Sequence, residues 1–306
     1  MSRIIPNFLV GGPPKGASTS LYFYVKQHPE IYASPVKQTR FFSVFYDKGI
    51  DYYLKTYFSG VKDEKMVGEA TPTYFLLPYV AKRIYDFNPD MKIIFCLRNP
   101  VERAFSGWSM RVNNGTEHLP FKEAMEENFK QRQHLKFETE EEGRVWQEDM
   151  LRDDRLEETG SRTYLEGGMY SYNLKAYLKY FPQEQIKVIF MEDLQKDVRK
   201  TMKEVYTFLG VDPDFVIPNI EKKNTYKKSK IKLLDPILGK NKKLSKVIAN
   251  MLPGAVKKKV LDTMYVEGSK KKITPEDKQI AYGYFKEDIN ELERLLKKDL
   301  SHWKIA

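Results

Sequence analysis

Three short apolar runs along the chain predict buried strands. They are IIPNFLV (4–10), which leads into Gly11, MKIIFCL (91–97), which leads into Arg98, and IKVIFM (186–191). Strands that are buried on both faces of a parallel sheet have continuous apolar sequences of this kind. A shorter strand is predicted at 66–68.

A helical pattern follows each of these strands. The predicted helices are 17–27, 78–87, 100–110 and 197–209, and Pro or Gly residues mark their ends. Strands that alternate with helices predict an α/β fold, in which a mainly parallel sheet is covered on both faces. Residues 276–297 add a helix whose apolar residues recur at steps of three and four.

Residues 120–162 interrupt this alternation. The stretch is polar, charged and rich in helix-forming residues, and we interpret it as a helical insertion near the mouth of the site. Because the sequence has neither an internal repeat nor a low-complexity linker, we expect a single domain over residues 1–306.

The composition is that of a globular protein, since 41% of the residues are hydrophobic and 13% are aromatic. No run of about 18 apolar residues occurs, so we expect no membrane-spanning helix. The first residues lack the apolar core of a secretory signal, and the single cysteine, Cys96, excludes an internal disulfide. These features favour a soluble cytoplasmic protein and leave its oligomeric state open.

The net charge of +10 is concentrated in one segment. Residues 222–272 hold 16 Lys and three acidic residues, so this segment carries +13 and the remainder of the chain −3. A basic segment can follow a nucleic-acid backbone, but this one contains no Arg and only two aromatic residues. Base recognition relies on Arg and aromatic side chains. We therefore expect no nucleic-acid partner, and favour a surface near a polyphosphate cofactor or an acidic substrate.

The turn after the first strand carries the residue types of an anion site. It contains Lys15 and Gly16 and continues into a helix through Ser18, Thr19 and Ser20. The start of a helix presents unpaired N–H groups and a positive dipole end to an anion, and this turn adds a cation and three hydroxyls. An ordinary helix N-cap uses similar residues, so the turn alone leaves both interpretations open.

Arg98 and Ser106 form a second candidate phosphate site. Arg98 follows the strand 91–97, and Ser106 lies eight residues further, just over two turns of a helix with about 3.6 residues per turn. The guanidinium of Arg98 matches a phosphate monoester, and Ser106 adds a donor. A rim Arg that pairs with a carboxylate is the alternative.

The order of residues in the turn argues against a nucleoside triphosphatase. The Walker pattern places Lys after its second Gly, whereas Lys15 precedes Gly16. The strand 91–97 leads into Arg98 and not into an acid that would hold magnesium, so we expect no metal. A P-loop-like phosphoryl transferase is the alternative enzyme. A nucleotide- or polyanion-binding module with weakened catalysis is the alternative outside enzymes.

Both segments resemble the nucleotide motifs of the sulfotransferases that use 3′-phosphoadenosine 5′-phosphosulfate (PAPS). VGGPPKGASTSLYFYVKQHPEIYAS (10–34) resembles their 5′-phosphosulfate loop, and CLRNPVERAFSGWSM (96–110) their 3′-phosphate motif. GEATPTYF (68–75), GGMYSYNLKAYLKYFP (167–182) and DLSHW (299–303) are similar to blocks of the bacterial and heparan-sulfate-type branch. The order of these matches along nearly the whole chain makes the resemblance specific.

The resemblance implies a three-layer α/β/α, P-loop-like fold and a sulfuryl transfer from PAPS to a hydroxyl or nitrogen of a small acceptor. The product of the donor would be 3′-phosphoadenosine 5′-phosphate (PAP). Lys15 would contact the oxygen between phosphate and sulfate, and Arg98 with Ser106 would hold the 3′-phosphate. The 5′-phosphate would bind Gly16, Ala17, Ser18, Thr19 and Ser20. A lysine-rich loop over the nucleotide would comprise Lys222, Lys223, Asn224, Lys227 and Lys228.

The segment Lys37–Phe42 departs from the family. Related segments read K-E-x-x-F-F, with a glutamate that often acts as the base, whereas Gln38 stands in its place and accepts no proton at neutral pH. The candidates for a replacement base are Glu69, Glu117 and His118, and Ala70 stands where related members often have Lys. Alternatively, Gln38 lies in the acceptor pocket and suits a nitrogen-rich natural product that binds through amide or guanidine hydrogen bonds.

Overall fold

The computed structural model describes residues 5–132, 139–151, 162–220, 227–229, 265–267 and 272–305. The chain divides into two compact units. The larger unit comprises Met1–Glu221 and Ile273–Ala306, and the smaller comprises Lys222–Lys272. No helix in the described ranges is long and apolar enough to cross a membrane.

Five parallel strands form the sheet of the larger unit. They are β1 (Phe8–Gly11), β2 (Ile31–Ala33), β3 (Met66–Ala70), β4 (Lys92–Leu97) and β5 (Ile186–Phe190). Their order across the sheet is β2-β3-β1-β4-β5, so β1 lies between β3 and β4 and pairs with both. Because β2 also pairs with β3 in parallel and β5 with β4, the predicted parallel sheet is confirmed.

Helices cover both faces of this sheet. They are α1 (Ser18–Val25), α2 (Gly49–Tyr57), α3 (Pro78–Phe87), α4 (Pro100–Asn113), α5 (Phe121–Arg132), α6 (Glu140–Leu151), α7 (Tyr170–Leu178), α8 (Met191–Lys196), α9 (Val198–Leu209) and α10 (Pro275–Leu296). Leu9 and Phe95 contribute to one buried cluster with α3, α4, α7 and α10. Val10 and Ile94 contribute to another with α1 and α9. Successive strand residues point to opposite faces, so the fold has three layers.

The C-terminal helix α10 is fastened to the start of α7. The carboxylate of Asp288 accepts hydrogen bonds from the Ser171 backbone N–H at 3.1 Å and from the Ser171 Oγ at 2.5 Å. A carboxylate at a helix N-terminus satisfies orphan N–H groups and interacts favourably with the helix dipole. The contact therefore joins two segments 117 positions apart.

Candidate functional site

The carboxyl ends of β1, β3 and β4 meet at one edge of the sheet. Because the three strands are parallel neighbours, the turn after Gly11, the residues after Ala70 and the residues after Leu97 all lie at this edge. Ligands of open α/β sheets bind at such an edge. The structure thus brings together the segments that carry Lys15, Glu69 and Arg98.

The turn between β1 and α1 packs closely on the end of β4. A Cβ atom added to Gly12 or to Gly16 would lie 2.5 Å from the carbonyl oxygen of Cys96, so only glycine fits at either position. The Gly16 N–H donates to the carbonyl of Pro13 at 3.0 Å, which closes the turn. Lys15 and Ala17 have positive φ angles of 74° and 75°, a conformation that costs free energy outside glycine and is concentrated at functional sites.

Helix α1 begins without a side-chain cap from any described residue. Its N-cap, Ala17, has no side-chain acceptor, although its carbonyl accepts the Ser20 N–H at 3.0 Å. Ser18 is buried, and Thr19 and Ser20 are half-buried. The first N–H groups of a helix need partners from outside the helix, and an anion meets that need. Of the two interpretations that the sequence allows, an anion site and an ordinary side-chain N-cap, the geometry therefore favours the anion site.

Lys15 lies beside a pocket of about 230 Å³ on the side of the turn that faces α4. Its Nζ is 3.9 Å from the Sδ of Met110. Arg103, Arg111 and Tyr164 also line this pocket, and burial lowers the pKa of Arg103. Arg103 donates to the Tyr164 carbonyl, while the guanidinium of Arg111 lies 5.8 Å from the ring centre of Tyr164. Three cationic side chains and one phenol ring therefore lie among the residues that line this pocket.

Arg98 and Ser106 occupy the predicted positions at the end of β4 and on α4. The Asn99 side chain caps α4 by accepting the Val101 N–H at 3.0 Å, and the Tyr170 hydroxyl donates to the Arg98 carbonyl at 2.7 Å. The Arg98 guanidinium donates to the Glu102 carboxylate at 2.8 Å. A bound 3′-phosphate would compete with Glu102 for this guanidinium, and the role of both residues stays a prediction.

Gln38 follows β2 in the chain and lies beside the end of β3. Strand β3 is the neighbour of β1, which leads into the turn. Gln38 is exposed, with a φ of 63°, and its N–H donates to the carbonyl of Ala70 at 2.8 Å. The neighbouring Lys37 contacts the first turn of α1, because its Nζ donates to the Thr19 Oγ1 at 2.5 Å. The sequence did not single out Lys37 as a site residue, although Lys37 matches the Lys of the related K-E-x-x-F-F segments.

Glu69 is fully buried beneath this segment. Its carboxylate accepts hydrogen bonds from the hydroxyls of Tyr53 at 3.0 Å, Thr71 at 2.6 Å and Tyr74 at 3.1 Å. Burial raises the pKa of Glu69, although these hydroxyl donors act in the opposite direction. A carboxylate enclosed in this way has no exposed face for an acceptor, so we interpret it as a positioning residue.

The other two candidate bases follow α4. Glu117 accepts hydrogen bonds from the Arg162 guanidinium at 2.8 and 3.0 Å and from the Tyr164 hydroxyl at 2.9 Å. Burial alone would raise the pKa of Glu117, but the hydrogen bonds from Arg162, the Leu119 N–H and Tyr164 outweigh it and lower the pKa. His118 is exposed, and no hydrogen bond within the described ranges joins its imidazole to the turn.

The lysine-rich candidates lie in the smaller unit. Lys222, Lys223 and Asn224 are outside the described residues. Lys227 and Lys228 belong to β6 (Lys227–Ser229), which pairs antiparallel with β7 (Tyr265–Glu267). Their contact with a nucleotide stays a prediction.

Comparison with known proteins places these features in a family. The model of the sulfotransferase domain matches residues 6–291. The membrane-associated sulfotransferase kil1 of Dictyostelium discoideum is 27% identical over 68% of this chain and 56% of its own length. Heparan sulfate glucosamine 3-O-sulfotransferase 6 of Mus musculus is 26% identical over 68% of this chain and 53% of its own length. The chain thus spans about half the length of these curated relatives.

A solved structure is similar over nearly the full chain. The sulfotransferase from Alicyclobacillus acidocaldarius has a TM-score of 0.65 and 26% identity, over 98% of this chain and 99% of that chain. The two chains therefore share the same α/β fold.

Proposed function

The chain belongs to the sulfotransferase family, and we propose that it transfers the sulfuryl group of PAPS to a hydroxyl or nitrogen of a small acceptor. The observation that carries the proposal is the start of α1, which no described side chain caps and which follows Lys15 in a tight turn against β4. This arrangement offers N–H groups and a cation to a 5′-phosphosulfate.

The proposed transfer breaks the bond between sulfur and the bridging oxygen and forms a bond from sulfur to the acceptor atom, which releases its proton to solvent. Negative charge grows on the departing phosphate, so Lys15 and the start of α1 stabilise the transition state more than the ground state. Arg98 and Ser106 hold the 3′-phosphate and thereby align the donor for in-line attack. In this proposal, neither the sulfuryl transfer nor the binding of the 3′-phosphate requires a metal ion.

The acceptor, in this proposal, reaches the sulfuryl group from the side of the turn on which Gln38 lies, whereas the pocket that Arg103 and Arg111 line is on the side of α4. A nitrogen-rich natural product would react through an uncharged nitrogen. Such a nitrogen carries its own lone pair and needs little help from a protein base, which is consistent with Gln38 in place of a glutamate. A cytoplasmic location is part of the proposal, although one relative is by name membrane-associated.

The proposal is tested by incubating the protein with PAPS and a panel of hydroxyl and amine acceptors, and reading the acceptor mass. We expect a product heavier by one sulfuryl group, formed equally well with and without EDTA. Binding of PAP without transfer to any acceptor class would favour the weakened binding module. Loss of activity in EDTA with rescue by magnesium would favour the phosphoryl-transfer alternative.

A further inference from the structure

Lys37 contacts the start of α1 from a different loop. It follows β2, whereas Thr19 lies in the first turn of α1, 18 positions earlier in the chain. The Lys37 Nζ donates to the Thr19 Oγ1 at 2.5 Å. The ammonium group of Lys37 therefore lies next to the first turn of α1, where the unpaired N–H groups are.

The ammonium of Lys37 is half-buried and lacks an anionic partner. Within the described ranges, no carboxylate lies at ion-pair distance from it, and burial alone lowers the pKa of Lys37. A cation withdrawn from water without a counter-charge costs free energy. A bound anion would offset that cost, so the surroundings of Lys37 are those of an incomplete anion site.

The backbone next to Lys37 is fixed by its contact with β3. The next residue, Gln38, donates its N–H to the carbonyl of Ala70 at the end of β3. Gln38 and Arg40 have positive φ angles of 63° and 54°, which the surrounding contacts must maintain. Since β3 and β4 flank β1 on opposite sides, Lys37 approaches the turn from the β3 side, while Lys15 contacts α4, the helix that follows β4.

We propose that Lys37 contacts the 5′-phosphosulfate of the donor, so that two lysines from separate loops bind this group from opposite sides. The inference rests on the proposed function, because it requires PAPS as the donor. Thr19 keeps the ammonium near the anion site when no nucleotide is bound. On binding, the Lys37 Nζ donates to the 5′-phosphosulfate oxygens and recovers a counter-charge.

Calorimetric titration with two nucleotides tests this role. PAP carries both phosphates, whereas adenosine 3′-phosphate lacks the 5′-phosphate. We expect Lys37→Met to weaken PAP binding by roughly 10- to 100-fold, the loss of one charge-assisted contact, and to leave adenosine 3′-phosphate binding unchanged. Arg98→Ala should instead weaken both. Lys37→Arg should restore most of the PAP affinity, and Lys26→Met, at the exposed far end of α1, should change neither.

A purely structural Lys37 would give a different pattern. Equal PAP affinity in Lys37→Met and wild-type protein would overturn this inference alone. An equal loss for both nucleotides, together with a lower melting temperature of the free protein, would assign Lys37 to fold support and also overturn it. If the wild-type protein bound no PAP, the proposed function would be overturned and this inference with it.

Discussion

The phenol of Tyr74 donates a hydrogen bond to the buried carboxylate of Glu69 at 3.1 Å. The same phenol oxygen accepts the backbone N–H of Phe42 at 3.1 Å. Tyr74 therefore connects the buried carboxyl group of β3 to the backbone of the segment that carries Lys37 and Gln38. Through this connection, a residue that no acceptor can touch helps to fix the position of residues at the site.

Tyr74→Phe should lower the free energy of unfolding by about 1–3 kcal/mol, because it leaves a buried N–H and a buried carboxylate with one partner fewer. Urea denaturation followed by far-UV circular dichroism measures the change. Tyr85→Phe is the matched control, since Tyr85 is 38% exposed, and it should leave stability nearly unchanged. A Tyr74→Phe protein as stable as the wild type would show that the two hydrogen bonds of the Tyr74 hydroxyl do not contribute to stability.

The pair formed by Glu117 and Arg162 should make stability depend on pH. The folded-state pKa of Glu117 lies below its usual value of 4.5, so the unfolded chain binds more protons in that range and stability rises with pH. The stabilisation is present above about pH 4.5 and is lost as the pH falls through the lowered folded-state pKa.

Glu117→Gln should therefore be less stable than the wild type by about 2 kcal/mol near pH 7, and the difference should shrink below about pH 4.5. Melting temperatures of both proteins at a series of pH values measure this difference. The contributions of the other carboxyl groups are the same in both proteins and cancel. Glu123→Gln, on the exposed side of α5, is the control. A stability difference between the two proteins that stayed constant down to about pH 3 would show that Glu117 is not the group that titrates.

Much of the fold is predictable because its signals are local. Pro78 and the Asn88-Pro89 pair mark the ends of α3, and the observed helix is Pro78–Phe87, the predicted range. An apolar run likewise predicts β4 to within one residue. Helices α2 and α7 are not predicted, since both are rich in Tyr, a residue of modest helix propensity, and tertiary packing decides their conformation.

The candidate site is predictable where it follows the strand ends. Lys15 lies in the turn after β1 and Arg98 comes directly after β4, and parallel strands bring such residues to one edge. The contact of Lys37 with Thr19 depends on how the loop after β2 folds across the end of β3, which no local pattern encodes. Glu117 and Arg162 are 45 positions apart, so no local sequence pattern predicts their pairing either.

Lys15→Ala should lower kcat more than it raises the KM for PAPS. If Lys15 stabilises charge that grows on the leaving phosphate, the loss of this one cation should lower kcat by roughly 10²–10³-fold. Steady-state kinetics at saturating acceptor separate the two parameters, and Lys55→Ala, on the exposed side of α2, is the control. An unchanged kcat with a raised KM would make Lys15 a ground-state contact only.

Arg98→Ala should weaken PAP binding by about one to two orders of magnitude, the equivalent of about 1.5–3 kcal/mol. The same substitution should barely affect AMP, which lacks the 3′-phosphate. Thermal shifts with the two nucleotides report this difference, and Arg199→Ala, exposed on α9, controls for the change in net charge. Equal stabilisation of the wild-type protein by PAP and AMP would refute the assignment of Arg98 and Ser106.

Removal of the carboxylate that competes for Arg98 gives an independent check. Glu102 accepts a hydrogen bond from this guanidinium at 2.8 Å, and the pair is partly exposed, so it is worth only about 0.2–1 kcal/mol. Glu102→Gln should therefore raise PAP affinity up to about fivefold. A loss of PAP affinity in this variant would mean that Glu102 orients Arg98 and does not compete with the phosphate.

Gln38→Glu should weaken acceptor binding with little gain in rate. A carboxylate lacks the two N–H donors of the amide and adds negative charge near the sulfuryl group, so we expect a higher acceptor KM and less than a tenfold change in kcat. Gln183→Glu, exposed at the opposite edge of the sheet before β5, is the control. A rise in kcat of roughly 10²–10⁴-fold, the contribution of a general base, would show that position 38 is the place of the base. No change in either parameter would place Gln38 outside the acceptor site.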